Sequence, residues 1–544
     1  MPAFAESVDT AWVRTYNSPA NDDDDASAIA VDDSGYVYVT GYSTAAGNNQ
    51  DYATVKYNPN GDSVWVRRYN GPGNGTDEAR ALTLDNSYNV YVTGRSTSSG
   101  LLDDYATIKY FPNGDTAWIR SYNGPAGNGT DYDYANAIAV DDSGYVYVTG
   151  KSMGSGTGMD YATIKYNPNG DTVWVRRYNG PGNSDDWGNA IGVDGSGNAI
   201  VTGTSNDTEG SLDYVTIKYA PNGDTLWLRR YKGPGENLDE AYALAIDSAG
   251  NVYVTGYSFG SGINYDYATI KYYPNGDTAW VRRYDGPTKD DYAKAIAVDN
   301  SGCVYVTGFS DSTGSGQDYV TIKYDSAGNE VWVRRYNGPN NGTDEAIALA
   351  IDKSSNIYVT GFSESGSSGM DYATIKYYSN GDTAWVRRYD GPASSEDFGF
   401  AIAVDVSGNS YVTGFISGGT TNSDYCTIKY AKAVSGVEEE TGEREKPLDF
   451  ALSQNYPNPF NPSTTIKFNV QGSKFKVPIH TTLKIYNLLG QKVKTLVDEE
   501  KLPGNYTVQW DGKNDSGNEV ASGIYFYQLK ADDFSQPKKM LLLK

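Results

Sequence analysis

The sequence predicts an all-β chain, an eight-bladed β-propeller followed by a small C-terminal Ig-like β-sandwich, and three observations predict it. The glycine of "VTG" recurs as Gly41, Gly94, Gly150, Gly203, Gly256, Gly308, Gly361 and Gly414, at a spacing of 53 residues with single excursions to 56 and 52. Each repeat holds four short runs rich in β-branched and aromatic residues and shows no helical periodicity. Beyond residue 432 the repeat stops, and the last 95 residues carry shorter alternating runs joined by Gly, Asn and Pro turns.

Within a repeat the runs come in the order "AIAVD", "VYVTG", "DYATIKY" and "TVWVRRY". "DDSG" joins the first two and "NPNGD" the last two; in both, Asp or Asn caps a tight turn and Gly takes the positive φ. Four antiparallel strands per unit make a propeller blade. The phase decides how the ring closes: "TAWVRTY" (Thr10 to Tyr16) is a fourth-strand motif standing before the first repeat, whereas the last repeat stops at its third strand, "DYCTIKY" (Asp424 to Tyr430). Eight full blades therefore require the N-terminal strand to complete the last one, which also removes an open edge. The expected divisions are an N-terminal remnant at 1–8, the propeller at 9–432, a charged linker at 433–449 and the Ig-like domain at 450–544.

"AIAVDxSGxVYVTG" followed by "DYATIKYxPNGD" resembles the bacterial β-propeller repeat family usually described as seven-bladed, and the likeness covers residues 9 to 430. This chain departs from that description in having eight strand sets. The resemblance implies an extracytoplasmic protein and says little about chemistry.

Composition bounds the partners. The formal net charge of −24 argues against nucleic acid and anionic membranes. Only Cys303 and Cys426 occur, each where sister repeats carry another residue, so no disulfide framework exists. No run of about 18 apolar residues is present to span a membrane as a helix. In "MPAFAES", Ala3-Phe4-Ala5 has the small-x-small pattern of a signal-peptidase site, read either as the remnant of an export signal or as chance.

One face of the propeller carries the short repeated turns, and the other carries the loops before "AIAVD" and before "DYATIKY", where the sequence and length differences fall. Variable loops on a fixed scaffold are where binding resides. On that face Asp24, Asp77, Asp133, Asp186, Asp239, Asp291, Asp344 and Asp397 precede the first strands, and a second series, Asp51 through Asp424, opens the third strands. Carboxylates and loop carbonyls are calcium ligands, so calcium is what this pattern could hold; the structural alternative, on which no cofactor is expected, is that each Asp accepts backbone N–H groups in its own loop. The residue after the first-series Asp breaks the symmetry, bringing Tyr134, Trp187, Tyr292 and Phe398 among acids to the rim. Aromatic rings beside carboxylates suit carbohydrate, and packing between blades is the competing reading. The residue after the "VTG" glycine gives two adjacent blades a basic exception, Arg95 and Lys151. The arginine pairs of "WVRRY" are expected to point to opposite faces and blunt the outer edge.

The single histidine, His480, lies outside the propeller, so a Ser-His-Asp triad or a His-ligated zinc cannot be built in the ring. Two rim carboxylates flanking a sugar would suffice for glycoside hydrolysis, but no blade holds a private pair, so no catalytic residue is assigned.

In the tail, "YPNPFNPSTTI" (Tyr456 to Ile466), "LKIYNLLGQKV" (Leu483 to Val493), "WDGKNDSGNEVASGIYFYQL" (Trp510 to Leu529) and the basic-apolar end Lys538 to Lys544 resemble the C-terminal sorting domain of type IX secretion substrates and the related Ig-like module of flagellar hook-cap proteins. The resemblance implies export, with residues 450–544 read by a secretion translocon. The stretch "QGSKFKVPIH" is longer than that pattern requires, which leaves a purely structural module open. The expectation is thus a secreted or cell-surface propeller that binds an extracellular glycan or surface protein, with a glycan-cleaving enzyme or a structural surface protein as alternatives.

Overall fold

In the computed structural model, the described residues are 6 and 8–543, except 19, 46–48, 101, 127–131, 263, 315, 367–368, 394, 419–421, 433–450, 453–454, 456–457, 459, 471–478, 503 and 532–533. The whole charged linker, 433–449, and most of the inserted "QGSKFKVPIH" lie outside them. The chain divides into two units, Met1–Ser435 and Gly436–Lys544. Among the described residues there is no helix, and so none long and apolar enough to cross a membrane.

The first unit is eight four-stranded antiparallel sheets. The first blade runs Asp24–Val31, Val37–Thr44, Gln50–Tyr57 and Ser63–Tyr69, paired in chain order, and six more follow the same order. In the eighth, Phe398–Val404, Ser410–Ser417 and Ser423–Lys432 are completed by Val8–Tyr16. That closing pair runs from Val8 with Lys432 to Tyr16 with Tyr425, with a one-residue bulge at Ala11. Val8 thus already belongs to the strand, inside the stretch read as a remnant, and the Glu6 carboxylate before it accepts from Lys376 of the seventh blade at 2.6 Å. First strands of successive blades touch one another all the way round the ring, including the first with the eighth, so they are the innermost strands.

The repeated letters hold blade to blade. Trp65 stands between Tyr38 of its own blade and Tyr110 of the next, and its indole N–H donates to the Pro112 carbonyl of that next blade at 3.1 Å. Arg67 donates through Nε to the Gly114 carbonyl at 2.6 Å. Gly114 itself has φ +87° in its turn, and a Cβ there would lie 2.8 Å from the Arg67 guanidinium and 2.9 Å from the Trp65 ring, so both the turn and the neighbour require glycine. The second arginine points the other way: Arg68 bonds Asp51 at 3.1 Å, the Ser43 carbonyl, and Tyr16 of the preceding blade. The opposite orientation agrees with the strand period, but the arginines clamp adjacent blades and do not serve as bare charges on an outer edge.

The second unit is a sandwich of a three-stranded sheet (Ala451–Leu452, Thr464–Val470, Gly504–Trp510) and a four-stranded sheet in the order Lys492–Lys501, Ile479–Tyr486, Gly523–Ala531, Phe534–Leu542. Trp510, Ile466, Leu483, Ile485, Tyr527 and Leu529 fill its core with no exposed surface. Alternation of apolar and polar residues along Ile479–Tyr486 and Gly523–Ala531 places that core.

Candidate functional site

A bulge in every innermost strand builds the rim. In the first blade Ala26 faces Gly41 and Ala28 faces Thr40, leaving Ser27 unpaired. The same shift leaves Arg80, Asn136, Asn189, Tyr242, Lys294, Ile347 and Phe400 unpaired in the others. It presses a backbone carbonyl against the second strand: a Cβ on Gly41 would stand 2.0 Å from the Asp25 oxygen, and on Gly256 1.9 Å from the Glu240 oxygen. The glycine of "VTG" is therefore the other half of the bulge. Together they gather three side chains per blade at the variable-loop end of the innermost strands: the residue after the first-series Asp, the bulged residue, and the cross-strand partner after the glycine, which is itself buried at Thr204, Tyr257, Phe309 and Phe362.

These side chains form a belt that runs from blade to blade. The Tyr42 hydroxyl donates to Asp25 at 2.5 Å, and Ser423 from the eighth blade reaches the same carboxylate at 2.6 Å. Arg95 pairs with Glu78 and, at 3.0 Å, with Asp103. Trp187 donates its indole N–H to Glu240 at 3.3 Å, and the Tyr257 hydroxyl donates to that carboxylate at 2.9 Å. The rings of Tyr257 and Tyr292 lie 4.8 Å apart, Tyr292 and Phe309 5.1 Å, and Phe362 and Phe398 4.5 Å. Lys294 sits 4.1 Å over Tyr242 within this aromatic sector. Burial lowers its pKa, against the opposing pull of Glu345 and Glu240. Burial likewise raises the carboxyls of Asp25 and Glu345 above their ordinary values.

Of the residues singled out in the sequence, Tyr134, Arg95 and Lys151 come together in one cluster, with both cations over the Tyr134 ring at 5.1 and 4.9 Å. Trp187, Tyr292 and Phe398 stand half-buried on separate blades of the same belt. The bulged residues escaped notice, although a signal was there: between two small residues the repeat reads Ser27, Arg80, Asn136, Asn189, Tyr242, Lys294, Ile347 and Phe400, a different chemistry in nearly every blade.

The first-series aspartates are fully buried or nearly so. Each accepts a backbone N–H from the loop that follows the preceding fourth strand, from Ser18 to Asp24 and from Gly71 to Asp77 through Gly391 to Asp397, at 2.5–2.7 Å. Asp77, Asp133, Asp186, Asp239 and Asp397 also accept from the end of the second strand. Burial pushes the carboxyls of Asp24, Asp291 and Asp397 up to about 6. Among the described residues, carboxylates converge within 4.8 Å as Asp266, Asp285 and Asp291 and as Asp371, Asp390 and Asp397. Arg283 and Arg388 already pair with Asp266 and Asp371 in those groups.

On the short-turn face, a groove of about 820 Å³ between the third and fourth blades is lined by Asp141, Tyr145, Lys165 and Asp194 among others. Its Lys165 ammonium donates to the Pro221 carbonyl at 3.0 Å. Equivalent lysines do the same elsewhere, Lys56 to Pro112 and Lys218 to Pro274, so the groove's polar groups belong to the blade-to-blade scaffold.

The Beta-propeller repeat family matches residues 12–47, 64–101, 124–156, 173–209, 229–264 and 331–365, and the FlgD Ig-like domain family matches 463–534. The ring is built of beta-propeller repeats, and the tail carries a FlgD Ig-like domain. An uncharacterized WD repeat-containing protein, L264 of Acanthamoeba polyphaga mimivirus, is 25% identical over 372 residues, covering 56% of this chain; the chain spans about a quarter (25%) of that relative's length. Among solved structures, the WD40 domain of SCAP from fission yeast is similar at 10% identity, over 77% of this chain and 98% of that one, with a TM-score of 0.40. PorZ, a surface component of the type-IX secretion system of Porphyromonas gingivalis, is similar at 11% identity over 98% and 100% of the two chains, with a TM-score of 0.22. Each matched propeller repeat contains the second-strand glycine, so every match includes half of the bulge that shapes the rim.

Proposed function

We propose that this protein is a secreted or cell-surface binding protein that takes an extracellular polysaccharide at the rim of its propeller, and that the FlgD-like Ig domain at 450–544 serves as the sorting segment read by a secretion translocon. The observation that carries the reading is the contrast between two sets of positions. Scaffold positions repeat almost letter for letter round the ring, whereas the three rim positions per blade change from acid to base to aromatic. A role in rigidity alone would not need that variety. Half-buried Tyr134, Trp187, Tyr292 and Phe398 offer ring faces on which sugars stack, and neighbouring carboxylates accept from hydroxyls. The exposed Tyr132 ring lies nearly parallel to Tyr134, at 11° and 6.4 Å, which widens one such platform.

The test is retention of the full chain on a panel of immobilised polysaccharides, with and without Ca²⁺, scoring released sugar in the same wells. Retention without release is expected. Release would move the reading to a glycan-cleaving enzyme, in which Glu345, raised by burial, is the first candidate acid. Retention that needs Ca²⁺ would assign metal to the Asp266 or Asp371 groups. No retention on any glycan would overturn the reading in favour of a protein partner or a structural surface role.

A further inference from the structure

The belt is not electrically uniform. In the second and third blades three cationic groups surround one ring: the Arg80 guanidinium is 5.7 Å, the Arg95 guanidinium 5.1 Å and the Lys151 ammonium 4.9 Å from the centre of Tyr134. A single cation over a ring is the ordinary case. Three carboxylates face these three cations, but only Glu78 and Asp103 pair with them directly; exposed Asp185 accepts the Met159 N–H at 3.0 Å and acts on Lys151 only at a distance. Glu78 and Asp103 both hold Arg95, while Arg80 reaches Glu78 only at 3.7 Å with its own side chain 43% exposed. Lys151 forms no ion pair or hydrogen bond among the described residues. Its pKa is lowered by burial and then by Arg80, with Arg95 adding to the effect and Asp185 opposing it. Across the ring the balance reverses, because there Lys294 faces two carboxylates, Glu240 and Glu345.

A half-buried cation packed beside two others with no carboxylate in contact is costly unless an anion completes the set. Resting on the polysaccharide reading above, we propose that the ligand is an acidic glycan, a uronate-bearing polysaccharide whose carboxylate sits between Lys151 and Arg80 while a sugar face packs on Tyr134 and Tyr132. The carboxylate accepts from the ammonium and the guanidinium, and Arg95, already committed to Glu78 and Asp103, fixes the ring and keeps the two acids from repelling the ligand. The negative sector around Glu240 and Glu345 repels a second carboxylate and so orients the chain across the opening.

The experiment uses the full chain and measures dissociation constants for polygalacturonate, alginate, fully methyl-esterified polygalacturonate and a neutral β-glucan, for the wild type, Lys151→Gln, Lys151→Arg and Arg80→Gln. The proposal expects tightest binding to polygalacturonate or alginate, weakened by salt and by esterification. It expects losses of about tenfold or more in Lys151→Gln and Arg80→Gln, the range of a hydrogen bond to a charged group, with much of the affinity kept in Lys151→Arg. Equal binding of esterified and free polymer, or tight binding unchanged in Lys151→Gln, would overturn the acidic-ligand proposal and leave the polysaccharide reading standing. Binding to none of the four polymers would overturn both. Thermal unfolding of each variant shows whether a loss reflects binding or folding.

Discussion

The rim residues owe their position to a glycine. Because the bulge puts the Glu240 carbonyl 1.9 Å from where a Cβ on Gly256 would stand, Gly256→Ala must push the first two strands of that blade apart. The expected cost is about 2–3 kcal/mol, the scale of overpacking in a tight site, read as a lowered unfolding midpoint. Asp291 gives a pH-dependent counterpart. Its carboxyl rises from 3.8 to about 6 on folding, so the folded state holds its proton more tightly than the unfolded one. Stability from this group is complete below about pH 4 and is lost as pH rises through about 6. Asp291→Asn removes that dependence, so the midpoint of the variant minus that of the wild type should be more positive at pH 7.5 than at pH 4.5; an unchanged difference would contradict the assignment. Legibility at this scale was uneven. Tyr134, Arg95 and Lys151 were visible because they break a repeat, but the Ala-x-Ala of a bulge reads like plain strand alternation, so Arg80 and Lys294 did not appear as rim residues. The partners of the arginines were also hidden, because a carbonyl such as Gly114, 47 residues from Arg67, leaves no mark on the letters around the arginine.

At the scale of elements, the strand Val8–Tyr16 carries the ring's closure. It pairs along its length with Ser423–Lys432, and its Trp12 indole donates to Pro59 of the first blade at 3.2 Å. A chain starting at residue 17 leaves Ser423–Lys432 as an open edge beside an uncovered Tyr425 and Tyr57. It should unfold at lower temperature and self-associate, which size-exclusion chromatography detects. Trp12→Ala keeps the strand and removes the packing, and should cost about 3–5 kcal/mol; a monomeric truncation with an unchanged midpoint would refute the closure role. This element was legible in full, because the fourth-strand motif at one end and the missing fourth strand at the other form a complementary pair.

For the whole molecule, a ring of near-identical blades places eight sets of three rim side chains around one opening. Their variety then gives one end of the opening a cationic sector in the second and third blades and an aromatic and acidic sector opposite. That the variable loops share one end of the ring was legible from their lengths and letters. The sectors were not, since they depend on which bulged residues neighbour each other across blades. The central claim is that binding occurs at this rim and not in the short-turn groove near Tyr145, and the most direct test compares two single variants. Taking a polysaccharide retained by the wild type, the dissociation constant of the full chain should weaken about tenfold in Trp187→Ala, the scale of a lost buried aromatic contact, and remain unchanged in Tyr145→Ala. The reverse pattern, with binding lost in Tyr145→Ala and kept in Trp187→Ala, would place the ligand on the other face and contradict the account.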